Sequence, residues 1–283
     1  MKRSGFVLLI LSSMCILCAF VPSWPQRHED TKKYKPFLLK DQSKKIASFK
    51  TSSEVAYAAI DRAGDFYVVL QSGEILKYDK NGINLGTYVH EGTPTLFDPA
   101  NAIRLLVYYK KTQEFTWLSP DLSINPSQTI DSSIAIEVAL ICPSGDQNIW
   151  VLDDADLGLK KVSLKDSRVL TEFSINDQFK ENEFTLMREY QNFLFLLDPK
   201  TGITVYNSFG KQIRKIQETG LTYFNFLGEE LYYKKDNQLK FLDLFTAETR
   251  EIAIPAPSDF VLLTDERMIL VNKNQVNIFE FLP

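Results

Sequence analysis

The chain reads as an all-β fold, a six-bladed β-propeller, and three observations carry that expectation. From Val55 to His90, four short apolar runs alternate with three glycine-bearing breaks (VAYAAID-RAG-DFYVVL-QSG-EILKYD-KNG-INLGTYVH). The runs are rich in Val, Ile, Tyr, Phe and Leu, which suit a pleated, half-buried surface, and Gly64, Gly73 and Gly82 stand where tight hairpins need a positive φ. Four antiparallel strands in about 36 residues is the size of one propeller blade. Second, the layout recurs: an apolar residue followed by a polar one closes a third strand at Asp79, Ser119, Ser163, Asn207, Asp243 and Glu280, at separations of 40, 44, 44, 36 and 37 residues. Third, Tyr-Tyr-Lys-Lys occurs at Tyr108–Lys111 and at Tyr232–Lys235, both times at the end of a second strand.

The chain begins with Lys2 and Arg3, then an apolar run from Phe6 to Phe20 and a Pro-bearing segment from Val21 to Pro25. That anatomy predicts a secretory signal peptide over residues 1–23, cleaved at Ser23, with an uncleaved anchor or a lipidated cysteine (Cys15 or Cys18) as alternatives. Residues 24–43 are polar and charged with two prolines, and read as a tether. The folded domain is expected over 44–283. Loss of Lys2 and Arg3 takes the formal charge from −4 to −6. A mildly acidic chain with scattered lysine pairs is a poor nucleic-acid binder. Cys142 alone of the three cysteines survives cleavage, so no internal disulfide is expected, and its apolar run predicts a buried, inert thiol.

The blades are expected over Val55–His90, Thr95–Ile130, Ile136–Ser174, Phe184–Ile216, Leu221–Ile254 and from Asp259 onward. The last is one strand short. An open edge exposes unpaired backbone, so the run Lys45–Lys50 is expected to supply the missing outer strand and close the ring. A two-sheet sandwich is the structural alternative, but it does not predict the period. One helical turn is expected in Asn176–Arg188, capped by Asn176 or Asp177.

Chemistry is sparse. Only His28 and His90 are histidines, and no nucleophile elbow, phosphate-cradling loop or dinucleotide fingerprint appears. Asp153, Asp154 and Asp156 place three carboxylates within four residues, enough to suggest Ca²⁺, though the spacing lacks a calcium loop's glutamate; a solvated turn is the plainer reading. No other cofactor is expected. Trp117 and Trp150 suit packing between blades or an aromatic platform. Phe97 and Asp98, in the Pro-flanked segment Thr93–Ala102, are candidates for a binding face.

The stretch FDPANAIRLLVYY (Phe97–Tyr109) followed by EFTWLSPDL (Glu114–Leu122) resembles exported β-propeller proteins of Bacteroidota, of the NHL/YVTN blade pattern, that carry no assigned activity. It departs from them at Ala102, where proline is expected, and at Ser119-Pro120. The resemblance implies residence in the cell envelope and an assembly role, and brings no catalytic residues. The expectation is therefore an exported, non-catalytic binding or scaffold protein of the periplasm or outer membrane. One propeller face would hold a protein partner, and contact with the membrane would come only through an N-terminal anchor. The alternatives are a channel-sited enzyme, a lyase or glycan hydrolase, and a glycan or small-molecule sensor.

Overall fold

The computed structural model describes residues 44–145, 147–175 and 183–281. The expected leader (1–23) and tether (24–43) lie outside the described residues, as do the expected caps Asn176 and Asp177. Six four-stranded antiparallel sheets are arranged as the blades of a propeller. Blade one comprises Val55–Ile60, Phe66–Leu70, Ile75–Tyr78 and Asn84–Tyr88. Blade two comprises Leu96–Asp98, Leu105–Tyr109, Glu114–Leu118 and Gln128–Thr129. Blade three comprises Val138–Ser144, Asn148–Asp153, Gly158–Ser163 and Arg168–Ser174. Blade four comprises Leu186–Tyr190, Phe193–Asp198, Gly202–Asn207 and Gln212–Ile216, and blade five Asn225–Leu227, Glu230–Lys235, Gln238–Asp243 and Thr249–Ala253. Blade six runs Phe260–Leu263, Arg267–Asn272 and Gln275–Glu280, and its outermost strand is Lys45–Lys50. There Phe49 lies opposite Val276 and Ala47 opposite Ile278. The first strand of blade six packs against that of blade one, so the first and last sheets are neighbours.

Burial falls from the inside of each blade outward, and composition follows it. The second strands of blades one and two, FYVVL and LLVYY, are buried at every position, because each is covered on both faces by adjacent blades. A side chain of this kind contributes about 1.5–3 kcal/mol when fully buried. The outer strands RVLTEFS and KIASFK alternate exposed with half-buried residues, as a one-sided strand does. Cys142 is free and wholly buried, and burial pushes its thiol well above the usual range.

One tight hairpin leaves no room for a side chain. Gly73 has φ +94°, and a Cβ there would lie 2.6 Å from the Gly92 carbonyl oxygen. Later blades make equivalent turns without glycine, with positive φ at Gln113, Leu157, Asp236 and Lys273. The helical turn expected near Arg188 is not formed where the chain is described. Leu186–Tyr190 is the innermost strand of blade four, pairing with Phe193–Leu197, and tertiary pairing overrides the local helical pattern. Among the described residues no helix is long and apolar enough to cross a membrane.

Candidate functional site

In an antiparallel blade, the turns after the first strand and after the third emerge on the same face. The six turns after the first strands together surround a funnel of about 1140 Å³. Its wall includes Arg62 and Gly64 of blade one, Asn101 and Ile103 of blade two, and Asp265 and Glu266 of blade six. The rim mixes charges: Lys80 pairs with Glu266 across blades one and six at 2.7 Å. The same face bears exposed apolar tips at Ile83, Ile103 and Phe209.

Arg188, Asp98 and Asn225 lie deeper in the funnel, each on the innermost strand of its blade and each less than a tenth exposed. The Arg188 guanidinium donates through Nη1 to Asn225 Oδ1 and through Nη2 to the Tyr57 hydroxyl, the latter at 3.3 Å. Its carbon lies 5.5 Å from the Tyr223 ring centroid, in cation–π geometry. Nε has no acceptor. Burial works against the charge, but the oxygens of Tyr57, Tyr223 and Asp98 outweigh it and hold the group protonated. Asp98 Oδ1 accepts from the Ala100 amide at 2.8 Å, which shapes the turn entering the funnel wall.

The arginine lies against a cluster of aromatic rings. Tyr57, Tyr223 and Phe260, from blades one, five and six, meet edge to face with centroids 5.8, 5.9 and 6.1 Å apart. Such pairs contribute about 0.5–1.5 kcal/mol beyond their area. Burial pushes the Tyr57 and Tyr223 hydroxyls upward, so neither ionises readily. Tyr57 also borders a smaller cavity of about 160 Å³, lined by Pro94, Thr95 and Phe97. A Tyr57–Arg188 bond thus joins a residue of the smaller cavity to one of the funnel.

Of the residues singled out from sequence, Asp98 reaches the funnel and the others do not. Phe97 is buried beside Tyr67, with ring centroids 5.2 Å apart. Trp117 is buried at 4% exposure beneath the Arg104 guanidinium, 4.0 Å from its ring. Trp150 is 1% exposed, and its Nε1 donates to Glu189. Both tryptophans are packing residues that offer no free ring to a ligand.

Two of the three aspartates of blade three converge on the Lys160 ammonium, and the third turns to Lys110. Asp153 is 1% exposed and accepts from the amides of Ile136, Glu137 and Ala155 at 3.0–3.1 Å and from Lys160 Nζ at 3.1 Å. Asp156 accepts from the Gly158 amide at 2.7 Å and from Lys160 at 2.9 Å, while Asp154 pairs with Lys110 at 2.8 Å. The Lys160 ammonium lies between Asp153 and Asp156, and among the described residues no group of three His, Cys, Asp or Glu side chains is placed to hold a metal.

Arg188, Asn225, Tyr57 and Tyr223 went unrecognised in the sequence. The signal present was a lone cation inside the apolar innermost strand LMREY.

No protein-family model matches the chain, and no curated protein matches it. Solved structures do. A streptogramin B lyase is 12% identical over 84% of this chain and 87% of its own, with TM-score 0.55. The WD40 domain of Neurospora crassa Pan2 is 9% identical over 81% and 78%, with TM-score 0.54. The extracellular domain of a one-component system from B. thetaiotaomicron is 14% identical over 80% of this chain and 33% of that one, with TM-score 0.53. At these identities the likeness is one of fold: the chain is a six-bladed β-propeller.

Proposed function

We propose that the protein is an exported, non-catalytic binding module of a cell envelope, of the kind its Phe97–Leu122 segment resembles, and that the funnel face holds a protein partner. One observation carries this reading. A wide funnel of mixed polar and apolar lining, built from turns of all six blades, shares its face with the exposed apolar tips Ile83, Ile103 and Phe209. Concave ground of mixed character with exposed apolar contacts on the same face suits recognition of another chain. The leader anatomy, the acidic balance and the fold shared with an extracellular domain agree with export. The chemistry of the floor also favours binding over turnover. General acid–base catalysis needs a group able to lose or gain a proton near neutral pH. Arg188 is held charged and the two tyrosines neutral, and the wall carboxyl that burial pushes upward, Asp61, is occupied by the Tyr67 hydroxyl and the Ala63 and Asp65 amides. His90, the one histidine among the described residues, lies against Tyr109 at a tilt with centroids 4.6 Å apart, and it does not line the funnel.

A photo-crosslinking amino acid at Ile103 or Phe209, compared with one at Leu170 on the outer strand of blade three, tests the proposal. Discrete adducts in envelope fractions are expected from the first two positions and not from the third. Adducts from Leu170 alone, or from all three alike, would place docking elsewhere.

A further inference from the structure

We infer that the floor of the funnel is a receptor for a single carboxylate group, taken by the guanidinium of Arg188. The inference deepens the docking proposal and rests on it. A guanidinium has five N–H donors in a planar fork that matches a carboxylate with two parallel hydrogen bonds. In Arg188 one bond goes to Asn225 and one to Tyr57, and Nε is left without an acceptor although the residue is only 4% exposed. Both partners are neutral, and no carboxylate forms an ion pair with Arg188 among the described residues. Asp98 acts on it only through space, so the charge is held without a contact ion pair and the guanidinium keeps donors for an incoming anion. Asn225, Tyr57 and the Tyr223 face fix the fork in one orientation beside a funnel open to solvent, so the site is built before anything enters.

Asp98 decides which anion. Its carboxylate lines the same funnel, close enough to act on Arg188 through space, and it repels an incoming anion in proportion to that anion's charge. A singly charged carboxylate therefore suits the floor better than a doubly charged phosphate. Such a group arrives either as the chain end of a polypeptide or on a free small acid.

Calorimetric titration of the whole protein separates these. The probes are N-acetyl-trialanine as its free acid, the same peptide as its amide, and acetate. The free acid is expected to bind and the amide not. Tighter binding of the peptide acid than of acetate identifies a chain end, and equal binding identifies a small acid. Arg188→Met should weaken the free acid by roughly 10- to 100-fold, as loss of a charge-assisted bond does. Asp98→Asn keeps an oxygen for the Ala100 amide and should strengthen it, a gain that a merely structural role for the pair does not produce. Equal binding of acid and amide, no binding of either at millimolar concentration, or an unchanged affinity in Arg188→Met overturns the inference. Should Arg188→Met fail to fold, the acid–amide comparison and Asp98→Asn decide it. Crosslinks from Ile103 that persist without carboxylate binding would leave the docking surface standing and remove this inference alone.

Discussion

Lys160 in blade three and Arg188 in blade four are both buried cations, at 5% and 4% exposure, and their surroundings differ in kind. Lys160 meets Asp153 at 3.1 Å and Asp156 at 2.9 Å, with Glu172 at 3.8 Å. Burial lowers its affinity for a proton, and the bonds to Asp156 and Asp153 more than restore it. Arg188 meets an amide oxygen, a phenol and a ring face. The lysine's charge is spent within the fold. The arginine's charge is oriented without a contact ion pair, in the wall of the funnel. Burial alone therefore does not separate a structural ion from a recognition site; the charge of the neighbours does.

Substitutions that remove one partner at a time test this contrast. The largest effect is expected from Asp153→Ala, which strands Lys160 and leaves the Ile136, Glu137 and Ala155 amides without their acceptor. A loss of about 3–5 kcal/mol in urea unfolding is expected. A loss below about 1 kcal/mol, the scale of an exposed pair, would mean that Lys160 escapes to solvent and that the two sites are not different in kind.

The same pair supplies an acid-sensitive part of the stability. Burial pushes the Asp153 carboxyl up, and the amides of Glu137, Ile136 and Ala155, with the Lys160 ammonium, bring it below its ordinary value. A depressed carboxylate contributes fully above its unfolded value of about 3.9, and that contribution is lost as pH falls through the folded value. Asp153→Asn should therefore be destabilised at neutral pH but lose less further stability than the parent below about pH 4. Parallel curves for the two proteins across that range would remove Asp153 from the acid limb.

Lys160→Met comes next, at about 1–3 kcal/mol, because Asp153 keeps its three amide donors while losing its cation. Arg188→Met is expected to cost least, about 0–1.5 kcal/mol, since no charged partner is abandoned in contact and an apolar side chain fills similar space. Thermal melts of the two methionine variants rank them directly. An arginine variant less stable than the lysine variant would make Arg188 chiefly a pin between blades.

Much of the architecture could be read from spacing, because each strand announces itself locally through apolar runs such as FYVVL and LLVYY. The six boundaries drawn at Asp79, Ser119, Ser163, Asn207, Asp243 and Glu280 each close a third strand or directly follow one. The site was harder to see for a geometric reason. Its floor gathers Tyr57, Asp98, Arg188 and Asn225 from four blades, and nothing in the chain marks residues so far apart as neighbours. Asp98 was found because it follows Phe97 beside prolines, whereas Arg188 was hidden in a segment whose polar spacing suggested a helical turn. The aspartates of blade three misled in the opposite direction. Their clustering was visible, but Lys160, whose ammonium lies between Asp153 and Asp156, sits four residues past Asp156 in an ordinary strand.

The pairing of Phe49 with Val276 has a consequence for synthesis. A ribosome releases Lys45–Lys50 more than two hundred residues before the segment that pairs with it, so its backbone has no partner until the last blade is made. Loss of Gln275–Glu280 would leave that ribbon begun and never finished. A truncated product is thereby exposed to proteases and chaperones at both extremities at once.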